Sequence, residues 1–374
     1  RYLIEQSVIK RCKADVEVGA FLSGGIDSST ISYIANKELK NELKTYALGF
    51  DKDDEDLVRA RAYSKYISSD HKEYYFDPIE EWSSLKKISN INGEPLPLLP
   101  LVHSHYICKK VNEDGIKVML SGIGADELFF GYLAFKGFYL MEKIKLICPK
   151  FLLNIFKFFF GNLKISDKYL DNKKKISYFF KYIDKKNYEA LLLWISSFDN
   201  FEEKKYFKNK KINKSKFLNY ISKIYNSYPD KMKFSQIFFF KFYLPAILIK
   251  SDFSSMLNSI ESRAPYLSKD LLNFSLDLPA NRNFKLFTQR PLMKKIFKKD
   301  FEEIIEKKKH GFAFNKREIL KNKKYIYKII EKKFIINFDY FEEKYDSYLN
   351  GNFDCEQYLW NEIILNFSRQ NLEK

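Results

Sequence analysis

The stretch Val16–Ala35, "VEVGAFLSGGIDSSTISYIA", decides how the rest of the chain is read. An apolar run stops at Ser23, two glycines follow, and Asp27, Ser28 and Ser29 lead into apolar positions at Ile31, Ile34 and Ala35. That is the pattern of a buried strand over 16–22 passing through a tight turn into a helix over 27–39. Such a turn aims backbone N–H groups at the helix N-terminus, and Gly24 and Gly25 leave no side chain in the way. The loop is therefore suited to an anion such as phosphate. Ser23 and Ser28 add hydroxyl donors. Asp27 would repel a phosphate, so its place here makes sense if Mg²⁺ bridges the two. The plainer reading is that Asp27 and Ser28 only cap the helix.

A second stretch, "GIKVMLSGIGADELFFGY" (115–132), repeats the arrangement. Its apolar strand ends at Ser121 and Gly122, and the acidic pair Asp126 and Glu127 follows. With both strands in one parallel sheet, the two loops face each other at the carboxyl end, where such sheets bind ligands. Asp27 and Asp126 are then expected to hold Mg²⁺ on a pyrophosphate group from both sides.

Around these loops, residues 1–15 read as a helix, 44–50 and 71–76 as further strands, and 54–67 and 101–114 as helices. A helical stretch follows Asp77-Pro78, and "GEPLPLLP" (93–100) is a Pro-rich loop. Strands alternating with helices predict an α/β fold, a parallel sheet with helices on both faces. Beyond Gly137 the periodicity becomes helical, which predicts a largely helical C-terminal region. Loops are expected near "ESRAPYLSKD" (261–270) and "KKKHGFAFN" (307–315), and "KNKKINKSK" (208–216) reads as a solvated loop.

Composition narrows the classes. The 374 residues are 45% hydrophobic and 30% charged, which indicates a globular chain rather than a disordered one. The net charge of +17 comes from lysines spread through almost every segment. Without a single basic stripe it reads as surface background, with no specific nucleic-acid partner. The four cysteines show no CxxC spacing, which argues against a zinc site or disulfide framework and for a reducing, cytoplasmic setting. No signal-peptide core is present at the N-terminus. The most membrane-like stretch, "FLLNIFKFFFG" (151–161), is too short to span and is broken by Lys157. It is expected to be a buried helix rather than an interfacial one.

The motifs also carry a resemblance. The first loop matches the SGGxDS loop of the PP-loop ATP pyrophosphatases. In order, "DVEVGAFLSGGIDSS", "LGF", Asp54-Glu55 with "RARAYSKYISSDH", "GEP" and "GIKVMLSGIGADELFFGY" resemble the synthetase domain of the glutamine-dependent asparagine synthetases. "LPAILIKSDFSSMLNSIESRAPYL" (244–267) and "QRPLMKKIF" with "KKKHGF" continue the match, which is weakest over 138–235. The resemblance implies an adenine nucleotide alpha hydrolase-like fold. The whole of 1–374 would be one synthetase domain: a lead-in helix (1–15), an ATP-binding core (16–137) and a helical part completing the site (138–374). It implies an ATP- and Mg²⁺-dependent ligase that activates a carboxylate, aspartate in the family, as an acyl-adenylate with release of pyrophosphate. Ammonia derived from glutamine then attacks. Ser23, Gly25, Asp27 and Ser28 would bind the β and γ phosphates, with Gly24 and Ser121 in the same ATP-binding loops. Leu22, Leu48 and Gly122 would lie near the adenosine, and Asp126 would share the Mg²⁺. The family's N-terminal glutaminase domain is expected to be missing from this chain, the start at Arg1 favouring truncation. A homodimer is left open.

Two departures bear on the chemistry. The family writes SGEGADE at the second loop, where its Glu contacts the activated substrate, but this chain has Ile123, which can do no acid–base work. The family's catalytic Lys is matched by Arg290, which keeps the charge but changes the geometry. Phe253 and Ser268 are smaller drifts. Alternatives are an amidotransferase acting on another carboxylate such as a sugar acid, a weakened nucleotide-binding relative, and a tRNA-modifying PP-loop enzyme.

Overall fold

Parallel pairing of short strands organises the first part of the computed structural model. The structure describes residues 1–39, 41–76, 88, 100–161, 172–195, 214–301, 320–335, 337–352 and 355–372. The strands are β1 (Val18–Phe21), β2 (Lys44–Gly49), β3 (Asp70–Tyr75), β4 (Val118–Leu120) and β5 (Glu261–Arg263). They form one sheet in the order β3-β2-β1-β4-β5, every pair parallel. Buried on both sides, β1 and β4 are nearly continuous apolar runs, as a covered parallel sheet demands.

The helices of this part are α1 (Tyr2–Cys12), α2 (Ile26–Glu38), α3 (Glu55–Ile67), α4 (Pro100–Glu113) and α5 (Ala125–Leu128). Asp54 starts α3, its carboxylate accepting the Asp56 N–H at 2.9 Å. Ile4 and Val8 of α1 and Ile31, Ile34 and Ala35 of α2 join Val18, Ala20, Val118 and Leu120 of the sheet in one core. This α/β sheet with helices around it matches the alternation expected from the sequence. Cys12, Cys108 and Cys148 are free thiols.

The chain forms two compact units. The first comprises Arg1–Ser84, Leu98–Tyr132 and Gln236–Phe314, and so contains the whole sheet. The second comprises Leu85–Pro97, Leu133–Ser235 and Asn315–Lys374. Among its described residues the second unit has helices α6 (Leu133–Ile147), α7 (Lys150–Phe160), α8 (Asn172–Lys181), α9 (Asn187–Ile195) and α10 (Ser215–Ser227). A further run, Lys231–Met256, is long and apolar enough to cross a membrane by length and composition. Of its apolar stretch 39% is buried, and within the first unit its Gln236 is buried and donates to Leu128 O and Ser275 Oγ, both at 3.0 Å.

Two expectations need correction. Residues 261–263, read as loop, form β5: three polar residues carry no strand signal, and backbone pairing with β4 alone defines them. The helix at 151–160 is present, but it is not buried, only Leu153 being so. Its apolar residues occupy both faces, so composition could not say which face turns inward. The helical stretch after Asp77-Pro78, the loops at 93–99 and 307–315, and residues 208–213 of the lysine run lie outside the described residues.

Gly24 is the tightest point of the first loop. Its φ is +64°, and a Cβ there would lie 2.4 Å from Arg59 Cβ and 2.7 Å from Ala60 N of α3. Gly115 has φ +84° but nothing within 4 Å of a Cβ. Gly115→Ala is expected to cost about 1 kcal/mol, the left-handed penalty alone. Gly24→Ala adds a clash with backbone and is expected to cost about 3 kcal/mol. Thermal unfolding midpoints check this. Equal shifts would show that α3 does not press on the loop.

Candidate active site

Because β1 pairs with β4, the two Ser-Gly loops emerge side by side in the first unit. A Cβ added to Gly122 would lie 3.4 Å from Asp27 Cβ, ordinary contact distance. Gly124, at φ +94°, makes the turn into α5, where a Cβ would meet Leu267 Cδ2 at 2.4 Å. The first loop is closed by its own hydroxyls. Ser28 Oγ accepts the Ser23 N–H at 3.1 Å, donates to Gly25 O at 3.2 Å and lies 3.1 Å from Ser23 Oγ. Ser28 thus ties the loop to the helix start but does not cap the helix, whose N-cap is Gly25 and makes no side-chain bond, so the plainer capping reading does not hold.

The carboxylates of the two loops meet over one cation. Arg290 Nη2 is 2.8 Å from Asp27 Oδ2 and also pairs with Asp126 Oδ1. The side chains of Arg290 and Asp27 are 6% and 9% exposed, that of Asp126 22%. Burial opposes the guanidinium charge, but Asp126 and Asp27 outweigh it and raise its pKa above the usual value. Arg290 reaches this point from the N-cap of a helix that opens with Pro291, in a left-handed backbone conformation with φ 50° and ψ 51°. Gln289 steadies the approach, its Nε2 donating to Gly131 O at 2.8 Å. Tyr266, wholly buried, donates its hydroxyl to Asp27 O at 3.1 Å.

Two cavities open beside these groups, each about 260 Å³. One is mostly apolar and includes Leu22, Tyr46, Leu48, Ile107 and Ser121 in its lining. The other holds the polar groups Ser23, Asp27, Ser28, Asp126, Glu127 and Tyr132. Phe21, Ser23 and Ile123 line both, so the cavities meet there. Leu22, Leu48 and Ser121 thus fall to the apolar cavity. Asp27, Ser28, Gly122 and Asp126 fall to the polar one, with Gly24 and Gly25 forming the turn behind them.

Sequence reasoning did not single out Lys250, and it named Glu127 without giving it a place in the site. Lys250 lines the apolar cavity, and burial lowers its pKa to about 8. Its signal was visible in the block "LPAILIKSD", where one lysine interrupts an otherwise apolar helix. Glu127 is 1% exposed and lines the polar cavity. Burial raises its carboxyl pKa to about 7, against the opposing effect of the hydroxyl of Tyr132, which donates to Glu127 Oε1 at 2.6 Å.

The donor set fits a hard divalent cation. Two carboxylates already converge on one positive nitrogen, and Mg²⁺ is commonly held by one or two carboxylates together with substrate phosphates. Among the described residues no group of three His, Cys, Asp or Glu side chains could hold a metal by itself. Arg290→Leu leaves Asp27 and Asp126 without their cation and is expected to destabilise the unit by about 3 kcal/mol. Mg²⁺ should then raise the variant's unfolding midpoint more than the parent's. A variant as stable as the parent and indifferent to Mg²⁺ would refute the pairing.

The chain is 29% identical over 343 residues to asparagine synthetase [glutamine-hydrolyzing] 1 of Bacillus subtilis, covering 86% of this chain and 50% of that protein. It is 34% identical over 146 residues to the asparagine synthetase of Zea mays, covering 36% of this chain and 25% of the relative. Over another 146 residues it is 31% identical to asparagine synthetase 2 of Oryza sativa, covering 36% and 24%. The chain therefore spans half or less of the length of these relatives. The asparagine synthase family model matches residues 1–369, and the chain belongs to that family.

Proposed function

We propose that this chain is an ATP-dependent, amide-forming ligase domain. It activates a carboxylate as an acyl-adenylate with release of pyrophosphate and passes the acyl group to ammonia. The relatives' names describe glutamine hydrolysis, and we take glutamine as the source of the ammonia. One observation carries the reading: two carboxylates from neighbouring strand ends share a cation beside an apolar cavity at the carboxyl end of the sheet. A nucleotide asks for that combination, an apolar recess for a base and a charged one for phosphates. The free thiols Cys12, Cys108 and Cys148 are in keeping with a cytoplasmic setting.

In this reading Leu22 and Leu48 pack the base, and the turn at Gly24 and Gly25 presents backbone N–H groups to the β and γ phosphates. Asp27 and Asp126 would hold Mg²⁺, which when bound neutralises the charge that develops on the leaving pyrophosphate. Arg290, held protonated by the same carboxylates, adds a fixed positive charge on that side. Asp27→Asn and Asp126→Asn are each expected to lower pyrophosphate release by about a hundredfold or more, the scale of one lost electrostatic contact. Parent-like turnover in either variant would refute the loop assignment.

Ile123 favours a second reading of the acceptor. It lines both cavities where they meet, and an aliphatic side chain there accepts no proton. Aspartate is therefore expected to be a slow acceptor, with another carboxylate, such as a sugar acid, preferred. Pyrophosphate release scanned over carboxylates with ammonia would rank them. Ile123→Glu should raise the aspartate-dependent rate. Efficient asparagine formation by the parent would sink the role given to Ile123.

A further inference from the structure

Helix α7 of the second unit turns outward residues that a globular chain ordinarily buries. Phe151, Ile155, Phe158 and Phe159 stand at i, i+4, i+7 and i+8, one face of a helix, and are 62%, 44%, 77% and 64% exposed. At the end of α6, just before the corner at Pro149, Leu146 and Ile147 are 78% and 84% exposed. The opposite face is seated at Leu153, with Phe156 and Phe160 still 36% and 38% exposed. Leu153 is buried in a cluster with Met141, Tyr182, Ile183 and Ala190. Phe156 and Phe160 contact the ring of Phe180, and Lys157 pairs with Asp184 at 2.9 Å. Anchored this way, the outward face is a fixed surface of its own unit. Large apolar side chains gathered side by side mark an interaction site, whereas singly scattered ones do not.

The charge around the patch says what covers it. Residues 143–161 hold Lys143, Lys145, Lys150 and Lys157 and no acidic residue, and α8 is likewise basic without an acid. Beside the α6–α7 corner lies a recess of about 640 Å³ whose lining includes Lys145, Lys150, Lys185 and Lys186. Asp184 is the acidic residue of that lining, and Lys157 already pairs with it. A second copy seated symmetrically on this face would bring lysines against lysines, which opposes self-pairing. An apolar ridge beside a basic recess instead matches the two parts of an anionic phospholipid, its acyl chains and its phosphate. With 11 residues, α7 is about 16 Å long, enough to lie in an interface and too short to cross one.

We propose that α7 and the α6–α7 corner dock the second unit on an anionic lipid bilayer. The exposed Phe, Ile and Leu side chains enter the acyl boundary, and Lys150 and Lys186 meet lipid phosphates, Lys145 being bonded to Lys185 O and Asn187 Oδ1 and Lys185 paired with Asp184. This surface is separate from the two catalytic cavities and does not depend on the function assigned to them.

Co-sedimentation of the full chain tests it, with vesicles of phosphatidylcholine alone and of phosphatidylcholine mixed equally with phosphatidylglycerol. Binding is expected to the anionic vesicles and to weaken with salt. Phe158→Asp with Phe159→Asp should lower it by about tenfold or more. Lys150→Glu with Lys186→Glu should remove the preference for anionic lipid. Both double variants should keep the parent's circular dichroism and ATP-dependent pyrophosphate release, since they lie outside both cavities. Three results would each overturn the proposal: a chain that stays in the supernatant with anionic vesicles, binding that neither double variant alters, or a dimer in light scattering that the Phe158/Phe159 variant dissolves while no vesicle binds.

Discussion

Asp27 and Asp126 stand at the ends of neighbouring strands, and two carboxylates held that close in a largely buried place require a cation between them. Left alone, one would take up a proton rather than face the other. The order β2-β1-β4 makes the encounter unavoidable, because the loops after β1 and β4 leave the same edge of the sheet. Arg290 resolves it from far along the chain, donating from one nitrogen to both. Its left-handed backbone costs about 1 kcal/mol relative to an ordinary conformation, less than the loss of a buried ion-pair partner would. The return of the segment Gln236–Phe314 to the sheet-bearing unit is thus tied to the chemistry of the two loops.

Both loops were legible because each combines features that rarely serve packing alone. An apolar strand ends in Ser-Gly, and an acid follows where a helix begins. The strands β1 and β4 were equally plain, since burial on both faces leaves a direct mark in sequence. Strand β5 left none. Glu261, Ser262 and Arg263 pair through their backbones on one side only, and Ser121 N–H donates to Arg263 O at 2.9 Å. Such an edge is defined by its neighbour rather than by its own side chains.

Arg290 and α7 show two other limits of sequence reading. Alignment of motifs gave Arg290 a place in the site, but not its position between the two carboxylates. That is a long-range contact with no periodicity behind it. In α7, apolar side chains at nearly every position establish a helix without saying which side faces protein. Only Leu153 turned out to be buried, with Phe156 and Phe160 partly covered by Phe180 and Phe151, Ile155, Phe158 and Phe159 more exposed.

In the proposed function, nucleotide binding and acceptor choice rest on different parts of this site. The polar cavity depends on the backbone turns of two loops and on the carboxylates of Asp27 and Asp126. The junction depends on the single side chain of Ile123. The apolar cavity contains one feature that packing does not ask for, the ammonium of Lys250. Burial lowers its pKa to about 8, so at neutral pH it remains mostly protonated, at the cost of desolvating a charge. The lining of that cavity also holds Asp56, His103 and several serines, so this mostly apolar recess has a polar side with Lys250 on it. On the proposed reading, replacing Ile123 alters the proton chemistry at the junction while leaving Asp27, Asp126, Arg290 and Lys250 in place.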